Sequence, residues 1–421
     1  MSTNQPFRFP PGFLWGTATS AHQVEGNNYH SDWWAWEQQG RRGEDKKSGV
    51  ACNQWFLYPQ DFQLSHQLGH NAHRFSIEWA KIEPEEGVFD QSAIDHYRKV
   101  LESLAENKLT PFVTLHHFTN PQWFVAKGGW ERRENINYFL RYAEQVVNKL
   151  GQYVIFWLTL NEPIIFTTQG WVFSKWPPEK RAILLAKKVY DNQIYAHNEA
   201  YKLIHQSPNG GNRTQVGLAH NYLRIVPRYG LSDRLMVKIL NYVWNYYFLN
   251  RTSQYLDFIG VNYYQTNVVH HDKQFPYYRI FSTDADITDL GWEITPVGLY
   301  EGLLCLNKKY HQPIYITENG LADAQDTKRA KFIYDHLTSV SHALEDGVDV
   351  RGYFHWSLID NFEWVEGFAP RFGLVEVDYK TQKRTPRPSA YYYEKICRTN
   401  SLIPLSSSST PLTSLKRSSH A

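Results

Sequence analysis

Pro313-Ile-Tyr-Ile-Thr-Glu-Asn-Gly320 is a short run of β-branched and aromatic residues that stops at a carboxylate, an amide and a glycine. It is too short for a helix and is punctuated at both ends by Pro313 and Gly320, so it reads as a buried strand delivering Glu318 to a cavity. A second stretch has the same grammar: Val154-Ile-Phe-Trp-Leu-Thr-Leu160 is followed by Asn161-Glu162-Pro163. With one such strand, the glutamate is most simply the first polar residue of a loop. Two strands, each ending in a glutamate beside an asparagine, shift that balance toward chemistry.

On either side of these runs the chain alternates apolar segments with amphipathic ones, the pattern of a parallel sheet connected by helices. Strands are expected near Phe13 to Ala21, Asn71 to Trp79, Thr110 to Phe118, Val154 to Leu160, Gln215 to Asn221, Asp257 to Tyr263, Pro313 to Thr317 and Val350 to Trp356. Helices are expected at Pro59 to Leu68, Gln91 to Asn107, Asn135 to Leu150, Arg181 to His205, Leu231 to Asn245, Thr295 to Lys308, Thr327 to Asp346 and Ser389 to Arg398. Units of this length predict an α/β fold, a single closed (β/α)8 TIM barrel rather than an open doubly wound sheet. In such a barrel the reactive groups sit at the carboxyl ends of the strands. The polar residues here fall at those ends: Gln23 and Glu25, Arg74, His116 and His117, Asn262 to Tyr264, and Trp356 to Trp364.

Composition narrows what the glutamates serve. A length of 421 residues suits one large α/β barrel. A net charge of +2, from 44 basic and 42 acidic residues, leaves no broad field for nucleic acid or an acidic membrane surface. Neither partner is expected. Cys52, Cys305 and Cys397 are few, odd in number and far apart, as in reduced thiols of a cytoplasmic chain. The N-terminus has no signal-like pattern and no window is long and apolar enough to span a bilayer. Aromatic residues make up 16%, with 15 Trp, which tilts the ligand toward sugars, whose C–H faces pack on aromatic rings. His66, His70 and His73 lack the acidic partner of a metal site, and no glycine-rich phosphate loop follows a strand. Neither a metal nor a nucleotide cofactor is expected. From about Thr399 the composition turns to serine, Ser406 to Ser409 above all, and the reading is a barrel over 1–398 with a flexible tail over 399–421.

Five motifs together resemble family 1 of the glycoside hydrolases, the β-glucosidase and β-galactosidase family. They are Phe13-Leu-Trp-Gly-Thr-Ala-Thr-Ser-Ala-His-Gln-Val-Glu-Gly26, Arg74-Phe-Ser-Ile-Glu-Trp79, Thr159-Leu-Asn-Glu-Pro163, Ile316-Thr-Glu-Asn-Gly320 and Trp356-Ser-Leu-Ile-Asp-Asn-Phe-Glu-Trp364. Their order is the family's, and they span the chain except its tail. The resemblance implies a retaining β-glycosidase with Glu162 as acid/base and Glu318 as nucleophile. The chemistry asks for such a pair independently, since one carboxyl must protonate the departing oxygen while another stabilises an oxocarbenium-like centre from the opposite face.

The same resemblance places Arg74 beside Glu318, where a fixed positive charge favours the ionised form, and Tyr264 next to it. It implies that Gln23, His117, Asn161, Trp356, Glu363 and Trp364 hold the sugar. Asn161 would meet the 2-hydroxyl, Gln23 and Glu363 the far hydroxyls, and Trp356 would provide an apolar floor. Glu162 should start protonated, its pKa raised by Glu318. One departure concerns the third strand: His117 is followed by Phe118, Thr119 and Asn120, where many relatives have Trp and Asp. Phe118 removes an indole N–H, which leaves the sugar preference among glucosides, galactosides and fucosides open. The substrate is expected to be a small β-glycoside or oligosaccharide. A transglycosylase would use the same residues, whereas a sugar-binding pseudoenzyme could have lost either carboxylate.

Overall fold

Eight short parallel strands close on themselves in chain order: β1 (Leu14–Ala18), β2 (Ala72–Ser76), β3 (Thr110–His116), β4 (Phe156–Asn161), β5 (Gln215–Asn221), β6 (Ile259–Asn262), β7 (Ile314–Asn319) and β8 (Val350–Trp356). Pairing of β1 with β8, Leu14 opposite Gly352 through Ala18 opposite Trp356, completes the ring. The computed structural model describes residues 6–405 apart from 41–42, 44–45, 210–212, 229, 271–277 and 281–285. The serine-rich stretch 406–421, expected to be flexible, lies outside the described residues.

The strands are surrounded by α1 (Gln54–Gln67), α2 (Gln91–Glu106), α3 (Ile136–Leu150), α4 (Ile183–Gln206), α5 (Leu231–Asn241), α6 (Pro296–Tyr310), α7 (Arg329–Glu345) and α8 (Pro388–Thr399). Helix α3 shows why they pack: Ile136, Phe139, Tyr142, Ala143, Val146, Val147 and Leu150 recur at helical spacing and are all buried. Asp90 caps α2 by accepting from the amides of Ser92 and Ala93, a contact worth about 1 kcal/mol. Inside the ring, Phe112 stacks on Phe156 with ring centroids 4.2 Å apart. Phe258, Tyr315 and Phe354 pack around that pair, so the amino-terminal half of the barrel is a filled aromatic plug. Polar groups at the other end rest on a floor that excludes water.

Several expected boundaries move. The first strand stops at Ala18, because residues Ala21–Val24 already turn as a short helix, and the second stops at Ser76 before Trp79–Ile82. The seventh strand runs on through Glu318 and Asn319, so the glutamate belongs to the sheet rather than to the loop after it. Helix α1 begins at Gln54 with Pro59 inside it, earlier than the start that proline suggested. Helix α5 gives way at Tyr242–Tyr246 to a single π turn.

Asn400 and Leu402, which the sequence reading placed in the flexible tail, are held against the barrel. Asn400 takes a left-handed conformation, φ 51°, its carbonyl accepts from the Phe9 amide at 2.9 Å, and its side chain accepts from the indole of Trp15 at 2.8 Å. Leu402 is buried, and its amide donates to the Phe7 carbonyl. Composition missed this because one asparagine and one leucine do the fastening. A chain ending at Leu405 is expected to keep its activity and its Tm. A chain ending at Arg398 should lose about 2–4 kcal/mol, read as a lower Tm in calorimetry.

Candidate active site

Glu162 follows β4 in an unusual backbone. Its φ of 42° is left-handed, costly for a glutamate, and the pairing of β4 with β5 slips between Leu158 and Asn161. Pro163 then opens a short helix, Pro163–Trp171, with a φ already suited to it. Glu318 is set by a second slip, between Ile316 and Glu318 in the pairing of β7 with β6. The glycine after it has a separate reason: a Cβ on Gly320 would lie 1.8 Å from the carbonyl oxygen of Trp356. Both carboxylates are thus aimed by irregular strand ends.

Arg74, buried on β2, donates to Glu318 Oε1 at 2.5 Å, to Asn161 Oδ1 at 2.6 Å and to Thr114 Oγ1 at 3.2 Å. The Tyr264 hydroxyl donates to Glu318 Oε2 at 2.6 Å. Burial first, then Glu318 and Glu162, push that phenol well above its ordinary pKa, so Tyr264 remains a donor. Both oxygens of Glu318 therefore face fixed donors, one of them fully charged.

Glu162 has a different environment. One oxygen accepts from Asn221 Nδ2 at 2.9 Å and from Asn262 Nδ2 at 3.0 Å, and its pKa is pushed up to about 8. Burial is the larger cause and the charge of Glu318, the one cause expected from the sequence, is the second. The Trp244 indole, on the π turn after α5, donates to Asn221 Oδ1 at 2.9 Å and so orients the amide that holds Glu162. Asn221 and Trp244 were not singled out, and Asn262 was read as a polar strand end without a role. The signal was present for the two asparagines, each the last residue of its strand; for Trp244 none existed in the local sequence.

Asn161 Nδ2 lies 3.2 Å from His117 Nε2. Burial, then Arg74, lowers the pKa of His117 well below its usual value, leaving the ring neutral. Since Nε2 must accept from the amide, the proton resides on Nδ1, a buried atom with no protein partner. The Gln23 amide donates to Asn361 Oδ1 and the Phe362 carbonyl, each at 2.9 Å, and more distantly to Glu363 Oε2 at 3.3 Å. Glu363 is itself raised to about 8, by burial first and by Glu318 and Glu162 next. Phe118 is buried between Trp176 and Trp364, ring centroids 5.0 and 5.2 Å away.

Gln23, His117, Asn161, Glu162, Tyr264, Glu318, Trp356, Glu363 and Trp364 all line one cavity of about 640 Å³, and Arg74 supports it from below. All ten residues given a role in the site are therefore in one place, whereas of the other polar strand ends Glu25 accepts from the Tyr97 hydroxyl at 2.9 Å and His116 bonds Asn120 at 3.0 Å, outside that lining. His70 and His73 are elsewhere, bonded to Ser65 and to Thr17 and Thr19. Among the described residues no group of three or more His, Cys, Asp or Glu is arranged to hold a metal, and no helix is long and apolar enough to cross a membrane.

The family model for glycosyl hydrolase family 1 matches residues 5–252 and 245–402. A β-glucosidase A of Thermotoga maritima is 32% identical over 94% of this chain and 99% of its own length. Among solved structures, a β-glycosidase from Pyrococcus horikoshii superposes with a TM-score of 0.89 at 42% identity, covering 95% of this chain and 97% of that one. A Thermotoga maritima β-glucosidase in complex with glucoimidazole does so with 0.89 at 31% identity, covering 94% and 100%. With two carboxyl groups of opposed environment in the mouth of a closed barrel, and a family model matched over nearly its whole length, the chain belongs to glycosyl hydrolase family 1 and is an O-glycosyl hydrolase similar to β-glucosidases.

Proposed function

We propose that the protein is a retaining β-glucosidase that removes terminal non-reducing glucose from small β-glycosides or oligosaccharides, with galactosides and fucosides as further substrates. The observation that carries this is the division of labour between the carboxyl groups. Glu162 is held protonated at neutral pH, while Glu318 lies against Arg74 and Tyr264. Glu162 gives its proton to the glycosidic oxygen as a Glu318 oxygen attacks the anomeric carbon, the aglycone leaves, and a covalent glycosyl ester forms. Esterification removes the negative charge of Glu318, so Glu162 gives up a proton more readily and serves as the base for the water that releases glucose. Asn161 and His117 would hold sugar hydroxyls, with Gln23, Glu363 and Trp364 at the ring's far side and Trp356 beneath it. No step needs a metal or cofactor. Three unpaired thiols, Cys52, Cys305 and Cys397, support a cytoplasmic setting.

A panel of aryl β-glycosides, with the anomer of the first-formed sugar read by NMR, tests the reading. Glucoside turnover with β-glucose released first is expected; α-glucose released first would exclude retention. The 6-phosphoglucoside belongs in the same panel. Of the glutamates that line the cavity Glu162 and Glu363 are held neutral, so a phosphate dianion would meet the like charge of Glu318 and Glu366, with Lys175 the one cation among the described lining residues. Its kcat/KM is expected to be at least about a hundredfold below that of the plain glucoside.

A further inference from the structure

His22 stands next to Gln23 in the first motif, yet the reaction gives it no part. Its side chain is buried and lies outside the cavity lining, against Trp364, which belongs to that lining. The two rings are almost parallel, 9° apart in plane with centroids at 5.5 Å. Trp364 is in turn near-parallel to His117, at 11° and 6.2 Å, and His117 to Trp356, at 17° and 6.1 Å. Four flat rings therefore run in series from a buried histidine into the cavity wall.

The first ring of the series is anchored at both nitrogens. His22 Nε2 donates to Glu37 Oε1 at 2.9 Å, and Nδ1 accepts from Asn28 Nδ2 at 3.1 Å. Glu37 is itself fixed, since its Oε2 accepts from the Ser48 amide at 2.9 Å and from the Ser48 hydroxyl at 2.6 Å. The imidazole cannot turn without losing both bonds. Trp364 is the opposite case: its φ of 51° is left-handed, which a bulky side chain resists, so its place depends on what surrounds it. Lys46 holds the same turn from the first loop by donating to the Glu366 carbonyl at 2.7 Å.

Resting on the proposed glycosidase activity, we propose that His22 is a positioning residue for sugar recognition, whose anchored ring backs Trp364 and fixes the plane that this indole presents to the hydroxyls at the far side of the glycone. The roles are divided. Glu37 and Asn28 hold the imidazole, and the imidazole holds the indole, through a stacked contact that tolerates little tilt. A histidine that only filled space would contribute stability and leave the choice among sugars unchanged.

Two variants separate stability from selectivity. His22→Gln keeps hydrogen-bonding groups for Glu37 and Asn28 but removes the ring, whereas His22→Phe keeps a ring for the stack and leaves Glu37 Oε1 without its donor. The substrates are an aryl β-glucoside and its 4-deoxy and 6-deoxy analogues. In His22→Gln the kcat/KM of the glucoside should fall at least about tenfold, mostly through KM, and that of the analogue lacking the hydroxyl Trp364 faces by less than about threefold. His22→Phe should keep the selectivity of the unsubstituted enzyme although its Tm falls below that of His22→Gln. Selectivity that follows Tm across the two variants, or equal losses on all three substrates, would overturn the proposal. A crystal structure of His22→Gln reads the cause without turnover: the Trp364 indole should leave its plane, and an unmoved indole would also overturn the proposal. An unsubstituted enzyme that cleaves none of the three substrates would sink the glycosidase reading, while the position of the indole would still decide whether His22 sets it.

Discussion

Glu318→Ala is expected to lower kcat/KM for an aryl β-glucoside by at least about ten-thousandfold and, with azide added, to yield α-glucosyl azide. Without the carboxylate no glycosyl ester can form. The vacated space keeps two donors, Arg74 at the position of Oε1 and the Tyr264 hydroxyl at that of Oε2. A small anion placed there attacks the anomeric carbon of an activated β-glucoside from the face Glu318 used, so the configuration inverts once. Removal of the carboxylate also leaves a buried guanidinium without its counter-charge, a cost of about 3–5 kcal/mol in such cases. The Tm of the variant should fall accordingly and recover part of the loss in azide. A β-glucosyl azide from this variant would exchange the roles of the two glutamates.

Glu162→Ala is expected to lose on the order of a hundredfold to ten-thousandfold with a poor leaving group, and far less in the first step when the leaving phenol needs no proton. The glycosyl ester on Glu318 still forms from an activated substrate, and azide attacking it from the other face gives β-glucosyl azide. The pH profile supplies a second readout. With the Glu162 pKa raised from 4.5 to about 8, chiefly by burial, kcat/KM of the unsubstituted enzyme should fall as pH rises through about 8. Glu162→Gln should lack that limb on an activated substrate. Glu363, also raised to about 8, would produce a similar limb, so Glu363→Gln separates the two assignments: the limb should survive it.

The same shift has a sign for stability. A carboxyl whose pKa is higher in the folded protein than in the unfolded chain binds its proton more tightly when folded. The favourable contribution is complete below 4.5 and is lost as pH rises through about 8. Above that pH, Glu162→Gln should melt at a higher temperature than the unsubstituted protein, with the gap closing as pH falls. An unchanged gap from pH 5 to 9 would show that Glu162 is not buried in its neutral form.

Much of the active site was legible because strand ends are written locally. A short β-branched run that halts at Asn and Glu, as two of the strands do, marks both a strand and its reactive terminus, and eight strand-helix units limit the closed arrangements to a barrel. The residues that aim Glu162 were less visible. Asn262 and Asn221 come from neighbouring strands, 100 and 59 residues away, and Trp244 reaches Asn221 from a π turn. Hydrophobic period reports which face of a segment is buried, not which side chain from another segment meets it.

The chain by itself therefore determined the order of strands and helices, the closed barrel, and the ten residues that assemble around one cavity or support it. Local patterning suffices for the strands and helices, since apolar runs must be buried and polar strand ends must leave the sheet at its carboxyl edge, while the ten residues rest on the five motifs that resemble the family's. Only the tertiary structure decided the charge states and the outer surface. Burial rather than a neighbouring charge is the main reason Glu162 remains protonated, Asn400 fastens a segment that composition read as loose, and Leu231, Leu235 and Ile239 of α5 are exposed although their spacing matches that of a helix facing the core. Desolvation and exposure are properties of what surrounds a side chain in space, and a one-dimensional pattern does not contain them.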